Sequence, residues 1–433
     1  MQKPLRIAIN AQIIPGSGTS SLEGVLRVLT AVGRLEGDEE YVFITPWSEP
    51  DWLQPFLNDC QTIIPAPPPE NPAVANRFEN LKRLTGKLRP LARRIKQLAI
   101  APPKFEYKVP VSDGFYESLN CDVIHFPYPE YTYCHLPTIY NPHDLQHLHY
   151  PEFFMPEVIH KREILYPAAC LAAEIVVAGS QFIKQDLIEK FGVEADKIQV
   201  IPWSPPKITA EKFTEKDVAA VFEKYECPPR PFILFPAMTW EHKNHLRLLE
   251  AIALLRERDG LKINLICTGY KHEFYKHIEQ KLQELNLEKQ VKFTGIVSIE
   301  ELSLLYRQAQ FVIIPTLFEA ASGPLFEAWQ YGAATACSAV TSLPEQAADA
   351  ALLFNPFSVE EIADAVKKMS LDENLRTELR TQGFRRLADF DLERTAKAYR
   401  AVYRKAAGRN LSEEDHYLLN WDWMRDSPNQ DSK

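Results

Sequence analysis

Two carboxylates, Glu319 and Glu327, flank a run of small residues, Ala320-Ala321-Ser322-Gly323, that closes on Pro324. Residues 311–315 read as a buried strand, and Pro324 suits the first position of a helix, where the N–H it lacks would be unpaired anyway. A strand, a loop and a helix start in that order leave backbone N–H groups and the positive end of a helix dipole free for a phosphate or diphosphate. Glu319 before the helix and Glu327 in its first turn would stand beside that anion, where carboxylates accept hydrogen bonds from sugar or ribose hydroxyls. The plainer reading leaves Glu327 complementing the dipole and Glu319 as a solvated loop charge. Lys243 follows a strand candidate and opens an amphipathic stretch, a position from which an ammonium can neutralise a departing diphosphate; otherwise it is a solvated lysine at a helix start. In Asn141-Pro142-His143-Asp144, His143 can hydrogen-bond a hydroxyl or phosphate with a charge that responds near neutral pH, while Asp144 orients it or caps the next segment. His147 and His149 lie close by, but no carboxylate or thiolate stands at ligand spacing, so no metal is expected. The loop 15–21, with Gly18 and Thr19, follows the first strand candidate and could bring amides to a phosphate or an acceptor.

These residues need a scaffold that gathers strand ends. Apolar runs alternate with amphipathic stretches along the chain, the pattern of parallel sheets covered by helices. Strand candidates in the first half are 5–10, 41–45, 122–126, 138–141, 175–178 and 198–202, with helical periodicity at 22–35 and 181–191. After a Pro-rich break and a polar helical stretch at 214–225, a second series holds strands at 232–235, 262–268, 291–295, 311–315, 335–338 and 351–354. Helical patterns at 244–258, 273–285, 299–309 and 359–369 separate them. The expected organisation is a first domain over 1–205, a second over 206–390, and a helix and tail over 391–433 placed to pack back on the first domain. Past Gly408 the tail has too little pattern to assign.

Bulk properties narrow the function. A chain of 433 residues exceeds what one hydrophobic core usually supports, which favours two domains. No apolar run approaches a membrane span. A net charge of −9 argues against nucleic-acid binding. Seven scattered cysteines without a Cys-x-x-Cys pair, and a start that reads straight into a strand, fit reduced thiols and a cytoplasmic location. One stretch departs from the acidic balance: within the insertion 61–112, residues 77–108 carry ten Lys or Arg against two Glu, a local charge of +8. Leu81, Leu84, Leu88, Leu91, Ile95 and Leu98 form an apolar stripe there, interrupted by Pro90. The stripe packs on the first domain, or the stretch makes peripheral contact with the inner face of an anionic membrane or a lipid-linked acceptor.

The spacing of Glu319 and Glu327 with Pro324 between them, followed by Thr341-Ser342-Leu343-Pro344-Glu345, resembles the donor site of the family 4 retaining glycosyltransferases (glycosyl transferases group 1). The likeness extends to Lys243-Asn244, Phe293-Thr294-Gly295, Leu305-Tyr306 and the stretch 350–356. It implies an α/β chain of GT-B fold, two Rossmann-like doubly wound domains facing a central cleft. It also implies transfer of a hexose from a nucleoside-diphosphate sugar to the hydroxyl of a glycan or lipid-linked acceptor with retention, and no cofactor or metal. The segments His143-Asp144-Leu145-Gln146 and Trp240-Glu241-His242-Lys243-Asn244 look mannosyltransferase-like, making GDP-mannose the first donor to test. By the same resemblance His143 and Glu319 meet the donor sugar at the reaction centre, Glu327 the ribose and Lys243 the diphosphate. Ala320, Ala321, Ser322, Gly323, Pro324, Leu325, Gly18, Thr19 and Gly269 complete the implied donor site. The chain departs from its relatives in having no Arg among residues 237–240, Ala-Ala-Ser-Gly where a Gly-Phe-Gly-Leu loop is usual, Ser20-Ser21 for two glycines, and Trp203-Ser204 for Asn-Gly. Those departures keep two alternatives open, a nucleotide-sugar epimerase and a non-catalytic sugar-nucleotide or glycan-binding scaffold.

Overall fold

A computed structural model describes residues 3–14, 25–26, 28–68, 106–205 and 213–423. The 15–21 loop with Gly18 and Thr19, part of the 22–35 helix and nearly all of the basic stretch 77–108 lie outside the described residues. The described strands β1 (Arg6–Asn10), β2 (Glu40–Thr45), β3 (Gln61–Pro65), β4 (Val123–Phe126), β5 (Thr138–Tyr140), β6 (Ile175–Ala178) and β7 (Ile198–Val200) form a sheet ordered β3-β2-β1-β4-β5-β6-β7. A second sheet, ordered β10-β9-β8-β11-β12-β13, contains β8 (Ile233–Pro236), β9 (Leu265–Thr268), β10 (Val291–Gly295), β11 (Val312–Ile314), β12 (Thr335–Ser338) and β13 (Leu352–Phe354). The ladders are parallel, with Ile7 opposite Tyr41 and Ile9 opposite Phe43 in the first sheet, and Phe235 opposite Cys267 in the second. Parallel strands are covered on both faces, so they read as continuous apolar runs; β6 and β9 are buried at every residue.

Crossover helices supply the covering. In the second sheet, helix His245–Asp259 buries Leu248, Leu249, Ile252 and Leu255 in one core with Phe235, Leu265 and Phe293, and packs beside helix Val359–Leu371. The helices Pro156–Ala172 and Glu373–Leu387 stand outside the sequence reading, and β3 and the tail differ from it. Strand β3 occupies the start of what the sequence presents as the insertion 61–112; as an edge strand with only its first residue fully buried, it carries a weak apolar signal. The tail past Gly408 holds a helix, Glu413–Leu419, in which Ser412 and Asp415 form a capping box, followed by the buried Trp421 and Trp423.

By spatial contact the chain divides into two units: Met1–Pro142 with Phe154–Val176 and Val402–Asn410, and His143–Phe153 with Val177–Ala401 and Leu411–Lys433. In the second sheet the chain runs outward from β8 to β9 and β10, then returns to lay β11 on the other side of β8. The carboxyl ends of β8 and β11 therefore emerge side by side where strand order reverses, the place an open α/β sheet leaves for a ligand.

Candidate functional site

Lys243 and Glu319 leave the sheet from those two strands and meet. Lys243 Nζ stands 2.8 Å from Glu319 Oε2, with the side chains 19% and 12% exposed, so the ion pair is largely shielded from water. Lys243 sits in a 3-10 turn, Glu241–Lys243, just ahead of helix His245–Asp259. What fixes it is Asn244, whose backbone is left-handed at φ 65°, a conformation asparagine tolerates better than most residues. The buried Asn244 amide donates to the carbonyls of Pro315 and Pro356, 2.9 Å each, spanning the exits of β11 and β13. His242 adds a tie to the β11 exit: its carbonyl accepts the Leu317 N–H at 2.8 Å and the Thr316 hydroxyl at 3.1 Å. Burial, with Lys243 next in effect, holds the His242 imidazole far below its ordinary range and therefore neutral.

The loop carrying Glu319 is braced by the 341–346 segment. Thr341 Oγ1 donates to the Glu319 carbonyl at 2.7 Å and accepts its N–H at 3.0 Å, and Ser342 Oγ donates to the same carbonyl at 2.7 Å. Gln346, fully buried, accepts the Ser322 N–H at 3.2 Å and donates to the Ala320 carbonyl at 3.4 Å. The helix runs Gly323–Gln330 with Ser322 as its N-cap, and Pro324 is its second residue. Glu327 is thus at the start of the second turn and not in the first, because the helix opens one residue earlier than Pro324 suggests. Ser322 is fully buried, its hydroxyl makes no capping bond, and no described protein group pairs with it. The first-turn amides of a helix have no intrahelical acceptor; with the Ser322 N–H given to Gln346 and Pro324 lacking one, Gly323 and Leu325 carry the amides at this helix start that an anion could meet.

Glu327 is held on the other side by helix Ile299–Gln308: the Tyr306 hydroxyl donates to its Oε2 at 2.6 Å. Burial raises the Glu327 carboxyl above the ordinary range, and the Tyr306 bond opposes that only in part. Gly269, at the end of β9, has φ 108°, and a Cβ there would lie 2.8 Å from the carbonyl carbon and oxygen of Ala237. Only glycine permits this approach of the β9 exit to the loop that leads to Lys243.

His143 lies in the loop after β5, also left-handed at φ 65°, and Asp144 accepts the Gln146 N–H at 3.0 Å. The segment 143–153 is fastened within the second unit by several contacts. His149 Nε2 pairs with Asp186 Oδ2 at 2.7 Å, the His149 ring lies 5.5 Å from that of Phe318, and the Tyr150 hydroxyl donates to the Leu317 carbonyl at 3.2 Å. Tyr150 and Phe318 thus link the His143 segment to residues immediately before Glu319. Glu345 accepts the Gln181 and Phe182 N–H groups, 3.1 Å each, and caps the helix Gln181–Phe191. Among the described residues no group of three or more His, Cys, Asp and Glu side chains could hold a metal ion.

Of the predicted residues, the structure joins Lys243 to Glu319 and places Ala320–Leu325 and Glu327 around one helix start; Gly18 and Thr19 are not described. Sequence reasoning did not find the supports Asn244, Thr341, Gln346 and Tyr306 as such. Tyr306 and Thr341 stood in the resembling motifs, yet nothing in linear spacing pairs them with Glu327 and Glu319.

Comparison with known proteins bears on the family and the fold. The model "Glycosyltransferase Family 4" matches residues 40–203 and the model "Glycosyl transferases group 1" matches residues 217–386, one over each sheet. The O-antigen chain mannosyltransferase B of Escherichia coli is 27% identical over 298 residues, 64% of this chain and 75% of that protein. The serotype-specific mannosyltransferase WbdA of the same species is 28% identical over 295 residues, 66% of this chain but 34% of its own length. Among solved structures, a glycosyltransferase from Rickettsia africae superposes with a TM-score of 0.63 at 16% identity, covering 94% of this chain and all of that one. Anabaena Alr3699/HepE in complex with UDP and glucose gives a TM-score of 0.63 at 16% identity over 93% of this chain and all of that one. With two adjoining family models spanning most of its length and GT-B structures matching its fold, the chain belongs to the family 4 glycosyltransferases, of glycosyl transferases group 1.

Proposed function

We propose that this glycosyltransferase moves a hexose, mannose first, from a nucleoside-diphosphate sugar to a hydroxyl of a glycan or lipid-linked acceptor with retention of configuration. The observation that carries the reading is the shielded Lys243–Glu319 pair at the point where strand order reverses. As the glycosidic bond breaks, negative charge gathers on the departing diphosphate. Lys243 and the Ser322–Leu325 helix start supply fixed positive charge for it, and Glu319, freed from Lys243, accepts hydrogen bonds from sugar hydroxyls. Glu327 takes the ribose hydroxyls, and His143 serves the donor sugar. Two relatives that are mannosyltransferases support GDP-mannose as the donor, and a structural neighbour held with UDP and glucose supports a nucleotide-sugar site of this kind.

The test begins with a thermal-shift panel of UDP-, GDP-, ADP- and TDP-sugars, followed by turnover with the donor that stabilises the protein most. Lys243→Ala should lower turnover by about 10²- to 10³-fold, the scale for losing one preorganised charge-stabilising donor. Unchanged turnover would sink the site assignment, and an inverted anomeric product by NMR would overturn retention.

A further inference from the structure

Tyr306 lies on a different helix from the loop it serves and is fully buried, so its hydroxyl must find a partner inside the protein. The partner is Glu327 Oε2, at 2.6 Å, the length of a hydrogen bond to a charged acceptor. The ring has little freedom to leave. It stacks on Tyr331, with centroids 5.3 Å apart and planes 23° apart, and the Arg307 guanidinium covers the far ring at 5.5 Å. The other carboxylate oxygen has a different setting: Oε1 lies beside Gly323, 3.9 Å from where a Cβ on that residue would stand. One oxygen of Glu327 is therefore committed to the protein, and the other faces the start of the helix that borders the donor loop.

We infer that Tyr306 is a positioning residue for donor binding: its hydroxyl fixes Oε2 of Glu327 so that Oε1, beside Gly323, is the oxygen presented to the ribose hydroxyls. The inference rests on the proposed role of Glu327 as a donor contact and adds the residue that orients it. The same bond bears on charge. A carboxylate must be ionised to accept from both ribose hydroxyls, burial works against ionisation, and the Tyr306 hydroxyl is the group that favours it. Tyr331 stands behind this pair with Arg307 over its ring, and Leu325, Phe326 and Trp329 on the helix of Glu327 are buried.

The experiment titrates GDP and UDP calorimetrically into the full chain between pH 5 and 8.5, using wild type, Tyr306→Phe, Glu327→Gln and the double variant. Phenylalanine keeps the stack on Tyr331, and thermal unfolding of each variant reports whether the fold is intact. Tyr306→Phe should weaken the nucleotide that binds by roughly tenfold or more, the scale for a hydrogen bond to a charged group. It should also move the acid limb of binding to higher pH, because the carboxyl loses the bond that holds its pKa down. In the double variant Tyr306→Phe should add nothing to the loss from Glu327→Gln. Wild-type affinity and pH dependence in Tyr306→Phe, with binding lost in Glu327→Gln, would overturn the positioning role while leaving Glu327 as a donor contact. Retained binding in Glu327→Gln would overturn both.

Discussion

At the scale of single residues, Lys243 and Glu319 neutralise each other across 2.8 Å, and a ligand must give each a new partner. A shielded ion pair is costly to break on one side only, because the remaining charge keeps its desolvation without its attraction. In the proposed donor site a diphosphate and a hydroxyl-bearing sugar arriving together would replace both sides, which would favour a complete donor over either fragment. Two residues along, His245 shows the opposite treatment of a titratable group. Its ring is 1% exposed, packs 4.5 Å from Phe235 and 5.7 Å from Phe293, and neither nitrogen has a described partner. Burial, then Lys243, pushes its pKa down to about 3. Folded His245 therefore stays neutral where the unfolded chain takes up a proton, so its contribution costs nothing above the ordinary 6.5 and becomes destabilising as pH falls from there toward 3. At pH 5 the penalty is about 2 kcal/mol. Denaturant unfolding of His245→Leu against wild type at pH 7.5 and 5.0 should show the variant gaining by that amount at the lower pH. An equal stability gap at both values would mean that the folded histidine accepts its proton.

At the scale of elements, the site is a set of strand exits laced together. Asn244 spans the exits of β11 and β13, His242 ties β8 to β11, and Thr341 with Gln346 holds the Glu319 loop to the start of the next helix. The β9 exit joins through Gly269, with the tightest tolerance. Gly269→Ala should cost roughly 2 kcal/mol or more, since a Cβ would press on the Ala237 backbone and the left-handed φ would be strained. Gly295→Ala is the internal control: its φ of 78° is also left-handed, but nothing lies within 4 Å of the added carbon. Chemical denaturation of the two should separate them, with Gly269→Ala the worse and donor binding lost with it. Similar losses would mean that backbone strain alone matters. The loop between Glu319 and Glu327 was legible in outline because Pro324 and the small residues before it act locally. Its bracing was not, since the turn of helix that presents Glu327 depends on where the helix starts, and that is one residue before the proline.

At the scale of the molecule, the two units do not follow a single cut in the chain. Val402–Asn410, near the end of the sequence, belongs to the unit that holds β1 to β5. There Tyr403 hydrogen-bonds His125 Nδ1 at 2.9 Å while Asn141 takes Nε2 at 2.8 Å, all three being buried, and Arg404 Nε donates to the buried Glu39 at 2.7 Å. Tyr403→Phe removes a buried hydrogen bond to His125 and should cost the first unit about 1 kcal/mol. Hydrogen exchange should show the loss in β1, β4 and β5 and leave β8 to β13 as protected as before; an even loss across both sheets would refute that local role. The sequence alone determined the parallel sheets, the two-domain organisation and the strand, loop and helix start between Glu319 and Glu327, because apolar runs, proline and small residues act over a few residues of chain. Only the tertiary structure decided that Lys243 faces Glu319 across 76 residues, that Tyr306 rather than solvent holds Glu327, and that of the expected tail 391–433 only Val402–Asn410 joins the first unit. Those pairings follow from strand order and from the rotation of each helix on its sheet, which are set by how whole faces pack and leave no local pattern to read.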